Sequence, residues 1–246
     1  MAHAVITRDA ETAALYIAAL AALGLDGVAM PVTRSTPPRD PGELARAVAA
    51  GGYAAIVVAS ARGADALQAA RGSAALPEVW AVGPATARAL AAAGIPARVP
   101  PAARDAEAVA RALLAERSLV GHRVLVPRAE DGRDEAIELL RGAGAVVDAI
   151  VAYRTEPVAA DAPELARGLA LLRAGEVAVC AVFAPSQVAA LDRLVGIRAI
   201  TASFAAIGGT TARALRAAGA TVIAVADAPT PERLAKAVSE VYPLKP

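Results

Sequence analysis

The sequence predicts an α/β protein made of two similar units, each a parallel sheet covered by helices on both faces. Short apolar strands alternate with alanine-rich amphipathic helices along the chain, which is the pattern of such sheets. A second observation is an internal repeat: "WAVGPATARALAAAGI" at 80–95 is answered by "AAIGGTTARALRAAGA" at 205–220, 125 positions further on. A third is that extended, proline-rich segments occupy equivalent places in the two copies.

The repeat covers most of the chain. "AVITR" at 4–8 answers "RVLVPR" at 123–128, and "ELAR" at 43–46 is repeated letter for letter at 164–167. The spacing between equivalent positions drifts only from 120 to 125 residues. We therefore interpret the chain as two copies of one unit of roughly 120 residues.

Helix boundaries follow from capping residues. Asp40 and Thr230 each precede a proline at a predicted first helical position, and Asp105 precedes the helical run "AEAVARALLAE". Four glycines then end helices before the next strand: Gly24, Gly94, Gly144 and Gly219. The pattern gives about nine strands and as many helices.

Two segments interrupt the alternation, "MPVTRSTPPRDP" at 30–41 and "IVAYRTEPVAADAP" at 150–163. Both are extended in character, so we interpret them as paired connectors. The first domain would then be discontinuous. We predict a first domain of residues 1–31 plus 159–246, a second domain of 40–149, and paired interdomain linkers at 32–39 and 150–158.

Composition narrows the function classes. The chain has 246 residues, 3% of them aromatic, and a formal net charge of +1, which favours neither a nucleic-acid groove nor a base-stacking surface. No run of about 20 apolar residues lacks charge and the first residues lead into a strand, so we expect a cytoplasmic protein with no membrane segment. No cluster has metal-ligand spacing, and we expect no metal. Cys180, in "VAVCAVF", is expected to be a buried structural thiol.

Ligands of open parallel sheets bind beyond the carboxyl ends of the strands, and every candidate site residue lies there. "IGGTTARAL" places Thr210 and Thr211 at the cap of a helix whose free N–H groups suit an anion, while Gly208 and Gly209 let the backbone approach closely. The first copy has Pro84 in place of Gly209 and so lacks one donor. We predict the better anion site in the second copy. A plain turn with a threonine cap is the alternative.

Other strand ends offer further polar groups, from the turn "VVASARGADAL", the run "PRAEDGRDEA", the end of the first strand and the turn "VFAPSQVAAL". The candidate binding residues there are Thr7, Arg8, Ser60, Arg62, Arg128, Gly132, Arg133 and Ser186. Helix capping by the serines and surface salt bridges of the arginines are the alternatives.

One connector position differs chemically between the copies, where Thr33 of the first is replaced by Tyr153 in the second. A tyrosine in a strand is often a packing residue, which is the alternative to a catalytic hydroxyl. No Ser-His-Asp set or P-loop occurs, and "GAGA" at 142–145 follows a helix, the reverse of a dinucleotide fingerprint. Any catalysis must therefore come from positioning and hydrogen bonds.

Short motifs follow one another along the chain in a particular order. They are "TR" at 7–8, the turn with Ser60, "RAEDGR" at 128–133, "YRT" at 153–155, "FAPS" at 183–186, "AIGGTTARAL" at 206–215 and "APTPERLAKAV" at 228–238. In this order and spacing the chain resembles the uroporphyrinogen-III synthase family over essentially its whole length. The resemblance implies two flavodoxin-like domains joined by a two-stranded antiparallel linker, with the active site in the cleft.

The resemblance also implies a reaction, in which a lyase of porphyrin and haem biosynthesis closes hydroxymethylbilane to uroporphyrinogen III. The hydroxyl is lost, a spiro intermediate inverts ring D, and no cofactor is needed. Tyr153 would be the catalytic hydrogen-bond donor to the departing hydroxyl, with Ser186, Thr210 and Thr211 binding the substrate. Ala184 departs from the family, which often has a hydroxyl there, and weakens the case for side-chain contacts at that turn.

The small-molecule substrate is the one partner that the resemblance requires. We expect no nucleic acid and no membrane, and a monomer, with a transient contact to the preceding enzyme of the pathway left open. The alternative function is a non-catalytic two-domain ligand-binding or regulatory module that uses the same cleft. The retention of Tyr153 argues against it.

Overall fold

The computed structural model describes residues 2–101, 103–221 and 223–242. The strands are β1 (Ala2–Ile6), β2 (Leu25–Ala29), β3 (Thr33–Thr36), β4 (Tyr53–Val58), β5 (Glu78–Ala81), β6 (Ala97–Arg98), β7 (Arg123–Ala129), β8 (Val146–Pro157), β9 (Val177–Val182), β10 (Ser203–Ala206) and β11 (Ile223–Val225). The helices are α1 (Ala10–Ala21), α2 (Glu43–Ala50), α3 (Ala61–Arg71), α4 (Gly83–Ala92), α5 (Ala106–Glu116), α6 (Glu135–Gly142), α7 (Pro163–Ala174), α8 (Pro185–Val195), α9 (Gly209–Ala218) and α10 (Pro231–Val241), with a 3₁₀ turn at Ile197–Ala199.

The described residues thus hold two more strands than the nine expected. The two-residue β6 is too short to give a periodic signal, and β3 lies in a segment that was expected to be a connector. The α/β class is confirmed: helices alternate with strands, and the pairs among β1, β2, β9, β10 and β11 and among β4 to β8 are parallel.

The chain divides into two compact units, the first ending at Arg34 and resuming at Glu156, the second running from Ser35 to Thr155. The sheet of the first unit has the order β2-β1-β9-β10-β11, and the sheet of the second has the order β3-β8-β7-β4-β5-β6. Strand β3 is thus the edge strand of the second sheet, next to β8.

Each sheet is buried on both faces, because consecutive residues of its central strands belong to different cores. In the first unit Val5 packs into one hydrophobic cluster, and its neighbours Ala4 and Ile6 pack into the other. In the second unit, Val57 likewise packs into one hydrophobic cluster and its neighbour Ile56 into the other. Side chains alternate along a strand, so two apolar layers require helices on both sides of each sheet, as the sequence predicts.

Capping predictions are confirmed at two helices and wrong at a third. Asp105 accepts a hydrogen bond from the Ala108 amide at 2.9 Å, and Thr230 accepts one from the Arg233 amide at 3.3 Å. Asp40 instead accepts from the Gly42 amide at 3.0 Å, and α2 begins only at Glu43. The aspartate forms a local turn that competes with the first helical turn.

Two further expectations concern single features. Cys180 is fully buried, and loss of solvation raises the pKa of its thiol to about 12, which confirms a structural thiol. In the described part of the chain, no helix combines the length and apolarity needed to cross a membrane.

A polar cluster joins three strands of the second unit at their amino ends. The Tyr53 hydroxyl donates to Asp148 at 2.8 Å, and Arg123 donates to both the Asp148 carboxylate and the Tyr53 oxygen. Burial raises the pKa of Asp148, but the hydrogen bonds from Arg123 and Tyr53 outweigh it and leave that pKa lowered. The same burial and the Asp148 charge raise the pKa of Tyr53 to about 12.

This cluster predicts a pH dependence of stability. A carboxyl whose pKa is lowered by folding stabilises the protein above its unfolded pKa, and this contribution is lost as the pH falls through the folded pKa. Between pH 5 and pH 3, urea unfolding should therefore show a smaller loss of stability in Asp148→Asn than in the unmutated chain, by on the order of 0.5 kcal/mol. Identical losses would mean that this carboxylate contributes nothing.

Candidate active site

The carboxyl ends of β4, β5 and β7 in the second unit surround a cavity of about 250 Å³. Its lining residues are Ala59, Ser60, Val82, Arg104, Asp105, Ala106, Val126, Pro127, Arg128, Ala129, Gly132, Arg133, Ala136, Ile137 and Tyr153. Parallel sheets place ligand sites at this edge because the loops that lead into the helices meet there. The cavity brings together five of the predicted site residues and leaves Arg62 outside its lining.

The hydroxyls of Ser60 and Tyr153 form a pair in this cavity, 3.0 Å apart. Ser60 is the N-cap of α3, and its oxygen accepts from the Gly63 amide at 3.0 Å. Tyr153 lies on β8, and its half-buried ring packs against the core cluster that contains Ile150. Either hydroxyl can donate in this pair; with Ser60 as the donor, its oxygen accepts from Gly63 and its O–H is directed at the Tyr153 oxygen. The phenol O–H can then point at a ligand.

Arg128 holds its own loop together. Its guanidinium donates to the carbonyls of Gly132 and Ala129 and pairs with Asp134, and 18% of its side chain is exposed. A Cβ at Gly132 would lie 3.0 Å from the Ala129 carbonyl oxygen, so glycine is needed for close packing there. Arg128 and Gly132 shape the wall of the cavity. The guanidinium of Arg128 is already bonded to groups of its own loop and to Asp134.

Two arginines at the rim have freer charges. Arg133 is 65% exposed at its side chain and lies 4.0 Å from Glu135. Arg104 is exposed, lines the cavity, and makes no hydrogen bond or ion pair with the residues described. Sequence reasoning missed Arg104. The sequence marks only its neighbour Asp105, which caps a helix 125 positions before the equivalent Thr230, and gives no signal for the arginine itself.

In the first unit, Thr7 is used by the fold. It is fully buried, and its hydroxyl lies 3.0 Å from the Ala181 carbonyl oxygen and 2.8 Å from Oε1 of Gln187. The same Gln187 oxygen accepts from the Phe183 amide at 2.9 Å. The next residue, Arg8, lies over the Phe183 ring, with 4.4 Å between the guanidinium carbon and the ring centroid. Thr7 and Gln187 therefore fix the ends of β1 and β9, and Arg8 is held against an aromatic face.

Thr210 and Thr211 lie inside α9 rather than at its cap, and neither caps it, which excludes the alternative of a plain threonine cap. The N-cap is Gly208, which has no side chain to cap the helix, and the threonines follow as the second and third helical residues. Thr211 is 3% exposed and lies on the buried face of α9, together with Ala212 and Leu215. Thr210 is exposed, and its hydroxyl lies 3.3 Å from an Arg213 nitrogen that donates to it. The first amides of α9 thus have no side-chain cap.

Ser186 is also exposed in the first turn of a helix without a side-chain cap. It is the second residue of α8, after Pro185, and the N-cap is Ala184. The α9 turn therefore presents backbone N–H groups, whereas in the α8 turn Pro185 has no N–H and the Gln187 amide donates to the Ala184 carbonyl at 3.0 Å, which leaves the Ser186 amide.

Residues 14–236 match the family model described as uroporphyrinogen-III synthase HemD. The chain belongs to the uroporphyrinogen-III synthase family. The match covers nearly the whole chain and includes every candidate site residue except Thr7 and Arg8. The family acts in tetrapyrrole biosynthesis, and membership favours this function over a non-catalytic module.

Solved structures agree in fold with this membership. The chain is similar to a crystal structure of a mutant uroporphyrinogen III synthase from the extremely thermophilic bacterium Thermus thermophilus, with 21% identity, a TM-score of 0.65, and coverage of 98% of this chain and 97% of that one. A wild-type structure from the same organism matches with the same identity and coverage and a TM-score of 0.52. Uroporphyrinogen-III synthetase from Helicobacter pylori is 15% identical, with a TM-score of 0.63 and coverage of 98% and 100%. No curated protein sequence matches significantly.

Proposed function

We propose that this chain is a cyclising lyase that converts hydroxymethylbilane to uroporphyrinogen III with inversion of ring D and loss of water, without a cofactor. The family match supports the pathway, and the observation that carries the mechanism is the pair of hydroxyls of Ser60 and Tyr153 in the cavity of the second unit. We infer that Tyr153 is the catalytic residue at this site.

The first step breaks the C–O bond of the hydroxymethyl group. The pyrrole nitrogen supplies an electron pair, and the oxygen takes the C–O pair and leaves as water once it has gained a proton. A phenol O–H that points at this oxygen stabilises the charge that develops on it. The 3.0 Å contact allows either hydroxyl to donate, and the proposed direction is from Ser60 to the Tyr153 oxygen, which holds the phenol in that orientation. The substituted α carbon of ring D then attacks the azafulvene methylene and forms the spiro intermediate. The bond from that carbon to the methylene of ring C breaks, the free α carbon of ring D bonds to the ring C methylene, and loss of a proton restores the pyrrole with ring D inverted.

We further propose that the two compact units are flavodoxin-like domains that arose by duplication. The order β2-β1-β9-β10-β11 becomes β8-β7-β4-β5-β6 when each strand is replaced by its counterpart in the other repeat. With the edge strand β3 set aside, each sheet would then combine two strands of one repeat with three of the other. The strands β3 and β8 cross the division between the units at 34/35 and 155/156, which supports the predicted role of these segments as paired linkers.

The N-terminus of α9 in the first unit is the proposed site for a substrate carboxylate. Its N-cap is Gly208, without a side-chain cap, and free N–H groups at a helix N-terminus favour anions. Gly208, Gly209 and Thr210 would contribute through their backbone, and Ser186 through the equivalent turn of α8. We propose a buried packing role for Thr211, which supports the turn from the core.

Gly209→Pro tests this site by removing a single N–H group. Proline is tolerated at the first helical position, Gly208 before it is extended, and the first copy already has Pro84 at this place. We expect stability within about 0.5 kcal/mol of the unmutated chain and a several-fold rise in KM, since each such contact is worth about 0.3–1 kcal/mol. The KM of Ala85→Gly, which alters the first-copy turn but removes no N–H group, should stay unchanged. A KM that does not respond to Gly209→Pro would remove α9 from the site.

The function itself is tested by incubation with enzymatically generated hydroxymethylbilane and separation of the product isomers. The proposal predicts type III product formed faster than spontaneous closure. Exclusive type I product would contradict it. We propose a cytoplasmic monomer as the working form, which sedimentation of the active protein would check.

A further inference from the structure

We propose that Arg104 binds a carboxylate of the substrate and forms, together with Arg133, a two-arginine clamp at the rim of the cavity that holds Tyr153. This inference rests on the proposed function and adds to it a binding residue and the part of the substrate that the cavity receives.

The charges around the cavity leave these two arginines available. Arg128 is satisfied by Asp134 and two carbonyls of its own loop. The Asp105 carboxylate is used as the cap of α5, through the Ala108 amide at 2.9 Å. Arg104 has no partner within the residues described, and the nearest carboxylate oxygen to Arg133 is 4.0 Å away. The cavity thus has two exposed guanidinium groups, while its one lining carboxylate, Asp105, is already hydrogen-bonded to a backbone amide. Such a cavity favours an anion.

The two arginines come from neighbouring loops. Arg104 precedes α5 and Arg133 precedes α6, and these two helices pack against each other. A small cavity next to the main one is lined by Ala106 and Glu107 of α5 and also by Arg133, so Arg133 reaches the first turn of α5. Glu107 is paired with Arg111, four residues further along the helix. A guanidinium binds a carboxylate through two parallel N–H groups, and two of them at one rim can bind the two acid side chains of one pyrrole.

The size of the cavity and the position of Tyr153 indicate which pyrrole this is. A volume of about 250 Å³ is below the range of about 300–1,000 Å³ typical of sites for whole drug-sized ligands, so the cavity receives one ring of the four-ring substrate. Tyr153 is proposed to address the hydroxymethyl group. The ring in this cavity is therefore the one that bears the hydroxymethyl group, and Arg104 and Arg133 bind its acetate and propionate groups.

Steady-state kinetics of Arg104→Ala with hydroxymethylbilane test the clamp. We expect KM to rise about fivefold, with a much smaller change in kcat, because an exposed charge-assisted contact is lost while Tyr153 stays in place. Arg104→Lys keeps the charge but not the forked geometry, so its KM should lie between that of the unmutated chain and that of Arg104→Ala. Added salt should narrow the difference between the unmutated chain and Arg104→Ala.

Arg173→Ala is the matched control, since Arg173 is also exposed but lies in the first unit, in the last turn of α7, before the amino end of β9. Its KM should equal that of the unmutated chain, and thermal unfolding should show that all three variants fold. If the unmutated chain makes type III product and Arg104→Ala keeps its KM within twofold, the clamp is wrong and the proposed function stands. If the unmutated chain makes no type III product, the proposed function fails first.

Discussion

Tyr153→Phe should lower the turnover of hydroxymethylbilane at least about tenfold and raise the share of type I product. The substitution keeps the ring, which packs against the core cluster that contains Ile150, and removes only the hydroxyl that lies 3.0 Å from Ser60. General-acid assistance is typically worth about 10²–10⁴-fold, and the remaining N–H donors of the site should retain part of it. Type I product rises because spontaneous closure, which does not invert the ring, then competes. The measurement is the initial rate together with the isomer composition.

Tyr53→Phe is the matched control. Tyr53 also loses a hydrogen-bonded hydroxyl, the one that donates to Asp148 at 2.8 Å, but it is the first residue of β4 and lies at the opposite end of the strand. We expect Tyr53→Phe to lower stability by about 1 kcal/mol and to leave the turnover unchanged. Tyr153→Phe should instead lower the turnover and leave the stability nearly unchanged. Full rate and pure type III product from Tyr153→Phe would make Tyr153 a packing residue.

Gly168→Ala should destabilise the first unit by about 1–2 kcal/mol, although alanine is normally the better helix residue. Gly168 lies within α7, and a Cβ there would come within 2.7 Å of Cγ and 2.8 Å of Cβ of Met30, and closer still to its Sδ. Met30 is fully buried among Val32, Leu165 and their neighbours. Rotation of the thioether cannot relieve a contact with Met30 Cβ, so overpacking outweighs the gain in helix propensity. Urea unfolding measures the difference.

Gly142→Ala is the comparison of opposite sign. Gly142 is the last residue of α6, and a Cβ there would meet nothing within 4 Å. The substitution should therefore stabilise the protein by about 0.5–1 kcal/mol through helix propensity alone. If both substitutions stabilise, the helix α7 is not packed against Met30 as closely as the structure has it.

Much of the fold could be predicted from local sequence. Apolar runs separated by helical periods predict parallel sheets with two covered faces, because both faces of such strands must be apolar. The caps at Asp105 and Thr230 followed from one residue type in one position. Asp40 shows the limit of this reasoning. Its carboxylate accepts from the Gly42 amide, two residues away, and sequence alone does not decide which nearby amide it accepts from.

The candidate site was less predictable, because its residues depend on contacts far apart in the chain. The hydroxyl of Thr7 is taken by Gln187, 180 residues away, and a strand-end threonine gives no local signal of such a partner. A threonine soon after a glycine cap looks the same whether it faces a ligand or the core, and Thr211 faces the core. Arg104 was not predicted because an arginine before a helix cap is common, and only its place in the lining of the cavity indicates a binding role.

The central claim, that the Tyr153 hydroxyl in the second unit assists loss of the substrate hydroxyl and so lets the enzyme outpace spontaneous closure, is tested most directly by an enzyme titration. A fixed amount of hydroxymethylbilane is consumed completely at rising concentrations of the unmutated chain, Tyr153→Phe or Tyr53→Phe, and the fraction of type III product is measured. We predict that the unmutated chain and Tyr53→Phe reach half type III product at the same concentration, and that Tyr153→Phe needs at least about ten times more. Three curves that coincide would contradict the account.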